Sequence, residues 1–271
     1  MFTITRNGLE AIQKDLGVIS NNIANANTNG FKRSRSEFVD MYSKALSDNP
    51  NSQSGLGALF QGTQKQMLQG SPIMTGGALD LNISGRGFFV LSPKVGSEPR
   101  FTRDGSMGLD AYGNLITTDG FNIAGYKRDE IDGIIKTTAE PINIPLSISN
   151  NEGRTVTLTA IGVDPEGNIE TTYGLNNIIA RGQIALAKFS NESALKSVGA
   201  NTYKATQKSG EQILGAGLEG NFGEVISGAL ESSNTNISNE MVSLLKTQQA
   251  FNGNARILQT SVDVTKILMG N

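Results

Sequence analysis

The carboxylates at expected turn positions, Asp104, Asp110, Asp119 and Asp164, are the first residues in this chain whose type could do chemistry. None falls in the Asp-x-Asp-x-Asp-Gly spacing that wraps a calcium ion. Their neighbours favour turns instead, because an Asp side chain accepts from backbone N–H groups two residues on. Gly85-Arg86-Gly87 is a fragment of a phosphate-binding glycine pattern, but it lacks the third glycine and leads into Phe88-Phe89-Val90-Leu91, a strand rather than a helix. Lys32, Arg33 and Arg35 form a basic cluster too short for a nucleic-acid arm; a solvated face or a salt bridge to a neighbouring subunit is the expectation. With no His and no Cys among 271 residues, zinc-thiolate sites, Ser-His-Asp and Cys-His nucleophiles and haem ligation through those residues all fall away. An enzyme built from this chain would rely on carboxylates, Lys, Tyr or Ser, and no acid pair stands out by spacing. The expectation is a chain that is not an enzyme and has no catalytic residue, no cofactor and no metal.

Composition narrows the partners. The formal charge of -2 supplies no basic surplus for nucleic acid. No apolar run approaches a membrane span, and the opening Met1-Phe2-Thr3-Ile4-Thr5-Arg6-Asn7-Gly8 lacks the apolar core of a secretory signal. Export, if it occurs, is expected to proceed without an ordinary cleaved signal. The 32 glycines imply many tight turns.

The elements that would position any surface are two apolar stripes. Positions 237, 241, 244, 248, 251, 255, 258, 262, 265 and 269 step by four and three, reading Ile, Met, Leu, Gln, Phe, Ala, Leu, Val, Thr and Met. Such a 3.5-residue repeat predicts a helix seeking a helical partner. Its packing residues would be Ile237, Met241, Leu244, Phe251, Leu258 and Val262, with Gln248 and Thr265 as polar, register-setting positions. Leu9, Ile12, Leu16, Ile19 and Ile23 repeat the pattern in shorter form over residues 3–28, which should end at Asn27-Thr28-Asn29-Gly30 with Gly30 as a left-handed terminator. Phe38, Met41 and Tyr42 could share a face of a short extension. The second helix is expected to begin around Ser238 as N-cap. Periodicity leaves two partners open: the stripes pack on each other within one molecule as an antiparallel pair, or they pack between subunits of a polymer.

Between the stripes the chain reads as β. Residues 47–57 are turn-rich and read as a loop, and 58–76 as extended segments. Leu79, Leu81 and Ile83 alternate with polar residues, as a half-buried strand does. Asp110-Ala111-Tyr112-Gly113-Asn114-Leu115-Ile116-Thr117-Thr118 is echoed by Asp164-Pro165-Glu166-Gly167-Asn168-Ile169-Glu170-Thr171-Thr172, and both have hairpin chemistry. Residues 139–145 carry two prolines and belong at an edge or in a loop. The expected class is α+β: paired, coiled-coil-like N- and C-terminal helices flanking a central, mostly antiparallel β domain. Its segments are 1–45 (helical), 46–76 (linker), 77–230 (β-rich) and 231–271 (helical).

Separated motifs then carry a resemblance. Leu16 to Lys32, with Asn21, Asn22, Asn25, Gly30 and Phe31, resembles the N-terminal signature of the bacterial flagellar rod and hook proteins; Glu231 to Ile237, Glu240-Met241-Val242 and Gln248 to Phe251 resemble their C-terminal one. Asp80 to Phe89 and Phe101 to Gly105 are similar to the opening of the family's β domain. Gly30 to Arg35 is most similar to rod subunits of the distal segment, while Gly55 to Asp80 and Gln183 to Tyr203 are more like hook subunits. A rod subunit is the preferred reading and a short hook protein the alternative; an adhesin-like β module with an intramolecular helical stalk is the rival from a different class. The resemblance implies a helical homopolymer in the basal body or hook, outside the cytoplasm, contacting neighbouring rod and hook subunits. It also implies export by the flagellar type III apparatus, without membrane insertion, and terminal helices that line an inner tube around the export channel.

Overall fold

The computed structural model describes residues 2–42, 55–92, 98–129, 133–134, 139–149, 154–174 and 177–270. The fold is α+β, with one long helix at each end of the chain and an antiparallel β domain between them in sequence. The chain divides into two compact units.

The first unit holds residues 1–26, 33–66 and 235–271. Helix α1 spans Phe2–Ala24, and strands β1 (Ser34–Tyr42) and β2 (Gly55–Lys65) pair antiparallel; helix α2 spans Ile237–Leu268. Helix α2 runs 32 residues without proline, about 48 Å at 1.5 Å per residue. Its N-cap is Asn236, whose Oδ1 accepts from the Asn239 N–H at 3.1 Å. Ser238, expected as the cap, lies inside the first turn. Glu240 near the start and Lys266 near the end complement the helix dipole. Helix α1 stops at Ala24, before the expected 27–30; Asn25 closes it by bonding Asn21 O through both its N–H and its Nδ2. Gly30 does adopt a left-handed φ of 65°, but in a segment that belongs to the other unit.

The extension after Phe31 is a strand. Pairing with β2 overrides the local spacing of Phe38 and Met41, and Phe38 meets Phe60 edge-on at 6.1 Å between centroids. Register shifts at Glu37/Phe38 and Met41/Tyr42 bulge the ladder, which raises its twist. Of the expected 47–57 loop, residues 47–54 lie outside the described residues and 55–57 already belong to β2.

The second unit holds 27–32 and 67–234. A seven-stranded sheet places Ala124–Asp129, Asn177–Ile184, Asn168–Tyr173, Thr155–Val163 and Ser147–Ser149 side by side, and a six-stranded sheet centres on Arg100–Thr102, Phe88–Leu91 and Leu186–Lys188. All pairings among the described residues are antiparallel. Glu140–Pro141 pairs only with the 124–129 strand, off the main path of the sheet, where the missing proline N–H does no harm. Two apolar clusters fill the unit: one around Leu81, Phe89, Leu115 and Ile184, the other around Phe88, Phe101, Phe189 and Tyr203. Each fully buried Phe or Leu here is worth about 1.5–3 kcal/mol.

The two echoed turns have one backbone geometry. Gly113 N–H donates to Asp110 O and Asp110 N–H to Asn114 O; Gly167 N–H donates to Asp164 O and Asp164 N–H to Asn168 O. Both glycines are left-handed, with φ of 80° and 83°.

Candidate assembly interface

In the first unit α1 and α2 run antiparallel, and polar or small residues mark their seam. Asn22 Nδ2 donates to Glu240 Oε2 at 3.2 Å, Thr247 Oγ1 to Asp15 Oδ2 at 3.2 Å, and a Cβ added to Gly8 would lie 3.1 Å from Asn254 Nδ2. These pairs step by seven residues in both helices, so they form one heptad register read in opposite directions. Asn22 also grips the start of β1, donating to Ser34 O and accepting from Ser34 N–H, both at 2.8 Å. Arg33 reaches Glu240 Oε1 at 3.4 Å and Gln66 Oε1 at 2.7 Å.

The seam takes one of the two columns expected on α2 and displaces the other. Leu244, Leu258 and Thr265 are half-buried, and Phe251 sits at the edge of exposure. The companion column is Glu240, Thr247, Asn254 and Ser261, one residue earlier than Met241, Gln248, Ala255 and Val262, of which Ala255 stays half-buried. The contacts of Glu240 and Thr247 with α1, and the flat face of Gly8, set this rotation. On α1, Ile19 is buried and Leu9, Ile12, Leu16 and Ile23 are half-buried. Among the family-motif residues Asn22 and Phe31 are buried, Gly30 is buried too, Asn25 is half-buried and Asn21 is exposed.

Turning the polar column inward leaves apolar side chains outward. Ile237, Met241, Val242, Leu245, Ile257, Val264, Ile267 and Leu268 are all exposed, Leu245 at 59 % and Leu268 at 81 %. Near the start of α1 an apolar groove of about 590 Å³ is lined by Phe2, Arg256, Ile257 and Val264 among others. Exposed apolar side chains gathered in such numbers on one helix mark a candidate interaction surface.

The second unit contains a buried ionic cluster that sequence spacing did not reveal. Glu231 is fully buried; its Oε1 accepts from Lys32 Nζ at 2.5 Å and from Gly70 N–H at 2.8 Å, and its Oε2 from Arg103 Nη1 at 3.3 Å. Lys32 Nζ also donates to Leu68 O at 2.7 Å, and Arg103 Nη2 to Gly85 O at 2.9 Å. Burial pushes the Lys32 ammonium below its usual pKa against the pull of Glu231, and burial likewise lowers that of Arg103. Burial raises the Tyr203 hydroxyl far above its usual value. The basic cluster was expected to be solvated or to reach a neighbouring subunit. Lys32 instead pairs within its own chain, because a cation this deep requires a partner. Arg35 is exposed.

The carboxylates at turns stabilise turns. Asp110 accepts from the Tyr112 and Asn114 N–H groups and from Asn114 Nδ2, at 2.7–2.8 Å, and the Asn114 bonds lead in holding its pKa below the usual value. Asp104 accepts from Ser106 at 2.7 Å, while burial raises its pKa. Among the described residues no group of three or more acidic side chains is placed to hold a metal ion, and no helix is long and apolar enough to cross a membrane.

Comparison with known proteins shows which family the chain resembles. Residues 3–32 match the flagella basal body rod protein family, 82–175 the D1 domain of flagellar hook proteins FlgE/F/G, and 226–269 the C-terminal region of flagellar basal body rod FlgEFG proteins. The flagellar basal-body rod protein FlgG of Buchnera aphidicola subsp. Schizaphis graminum is 36% identical over 272 residues, covering 95% of this chain and 94% of the relative. FlgG of Agrobacterium fabrum is 30% identical over 283 residues, covering 99% and 97%. The flagellar hook protein FlgE of Helicobacter mustelae is 43% identical over 135 residues, 46% of this chain and 30% of the relative. The match runs from the α1 motif through the β domain to α2, and this chain belongs to the family of bacterial flagellar rod and hook proteins.

Proposed function

We propose that this chain is a structural subunit of the flagellar basal-body rod, acting by self-assembly rather than by catalysis. Full-length likeness to FlgG rod proteins supports the rod over the hook, since the hook relative aligns over less than half of this chain. The observation that carries the mechanism is the set of outward apolar side chains of α2, between Met241 and Leu268, on a helix whose seam with α1 is marked by polar contacts. A helix presenting that row gains most of its stability only when a second helix covers it. Terminal helices of neighbouring copies would pack into an inner tube around the export channel. The intersubunit set is the outward row, Ile237, Met241 and Val262 included, joined by Leu9, Ile12, Leu16, Ile23, Leu244, Phe251 and Leu258 at the seam margins. Delivery through the flagellar type III apparatus belongs to the same reading.

The test is polymerisation of purified protein followed by sedimentation and electron microscopy. Filaments that appear above a critical concentration, and vanish in Leu245→Asp, are the expected result. A protein that stays monomeric at every concentration, or Leu245→Asp filaments of unchanged length, would count against it.

A further inference from the structure

Residues 27–32 are held in the β-rich unit as a receptor holds a peptide. Gly30 N–H donates to Glu231 O at 2.8 Å, Asn234 N–H to Phe31 O at 3.3 Å, and Asn201 Nδ2 to Asn29 O at 2.9 Å. Phe31 is buried as an aromatic anchor and Lys32 as a cationic one, its Nζ between Glu231 Oε1 and Leu68 O. Main-chain hydrogen bonds supplying affinity and two buried side chains supplying selectivity are the parts by which a site recognises a peptide. Gly30 completes the fit: its φ is 65°, and a Cβ there would lie 2.6 Å from Asp104 N, so no other residue approaches as closely.

The rest of the site keeps its ion pairing without the segment. With Lys32 in place the cluster contains two cations and one anion. With Lys32 gone, Glu231 keeps the Arg103 guanidinium and the Gly70 N–H, and no buried ion is stranded. Arg103 in turn keeps the carbonyls of Ile83 and Gly85 and its place over the Phe88 ring. Burial and Arg103 oppose the docked ammonium, while Glu231 and, more weakly, Glu192 hold it.

We propose that residues 27–32 are a detachable intramolecular ligand, and that the site formed by Leu68, Gly70, Arg103, Asn201, Glu231 and Asn234 is a binding site for a Gly-Phe-Lys peptide. The segment that follows α1 can then leave the β-rich unit while that unit stays folded. The inference does not depend on polymerisation, because dilute monomer suffices to test it.

The full-length protein carrying Gly30→Ala is compared with wild type by hydrogen exchange and by titration with a fluorescent peptide of residues 25–36. Phe31→Ala serves as a second variant that empties the site without touching the left-handed position. In the variants the Asn234 amide should exchange faster while the Phe88 to Leu91 strand stays protected. The peptide should bind them at least about tenfold more tightly than wild type, whose own segment fills the site and lowers the competent fraction. The same peptide bearing Gly30→Ala should not bind. Loss of protection throughout the β-rich unit in both variants would make the segment part of the core and overturn the proposal. So would equal peptide binding, or no binding, across wild type and a folded variant.

Discussion

Removal of the Glu231 carboxylate is the sharpest perturbation the β-rich unit offers. Glu231→Ala leaves Lys32 and Arg103 facing each other, both nearly inaccessible, with no anion between them. Breaking a buried ion pair by deleting one partner costs about 3–5 kcal/mol, because the remaining charge stays desolvated. A unit of this size loses about 2–4 °C of Tm per kcal/mol, so the midpoint should fall by about 6–20 °C. Lys32→Met is the informative control. It keeps the apolar stem and leaves Glu231 paired with Arg103 and Leu68 O bonded to Asn234 Nδ2, so its cost is that of the hydrogen bonds from the Lys32 ammonium, about 1.5–3 kcal/mol. Differential scanning calorimetry on dilute monomer reads both. A Glu231→Ala shift below about 2 °C, or a Lys32→Met shift as large as that of Glu231→Ala, would refute the assigned charge pairing.

Other outcomes follow from single contacts. Leu245→Asp lies on the exposed face of α2 and should change monomer stability by no more than about 0.5 kcal/mol while abolishing sedimentable polymer; unfolding of the monomer would place Leu245 in the wrong environment. Gly113→Ala puts a Cβ 2.1 Å from Ile144 O at a φ of 80°, and a loss of roughly 1–3 kcal/mol should appear in urea melts, with an unchanged midpoint as the contrary result. The Asp110 carboxyl has a folded pKa below its unfolded one, so its stabilisation is present above the ordinary carboxylate range and is lost as pH falls through the folded value. Asp110→Ala should therefore be less stable than wild type near neutral pH and converge with it in strong acid; a difference independent of pH would remove those hydrogen bonds from the account.

What could be read from the sequence was what depends on neighbours in the chain. The 3.5-residue repeat of apolar residues marks both helices, because side chains three and four apart share a face. The Asp-x-x-Gly-Asn echo marks both hairpins, because its hydrogen bonds close within five residues. Contacts between distant residues were not legible. Glu231 stands 199 positions from Lys32, and nothing around either announces the other. Strand β1 is a strand because β2 pairs with it, although the spacing of Phe38, Met41 and Tyr42 fits a helical face. The rotation of α2 was hidden for a related reason. Hydropathy marked Met241 and Val262 for packing without naming the partner, whereas Glu240 and Thr247 take the seam with α1 through hydrogen bonds to Asn22 and Asp15. The choice of partner was not legible because apolar side chains that pack on another copy carry the same periodicity as those that pack on their own chain.

The central claim is that the outward row of α2 is covered only when copies meet. Amide exchange followed by mass spectrometry, on dilute monomer and on the pelleted polymer, tests it most directly. The account predicts that residues 2–24 and 237–268 exchange rapidly in the monomer and become protected in the polymer, while Phe88 to Leu91 stays protected in both. Full protection of α2 in dilute monomer, with no gain on polymerisation, would contradict it.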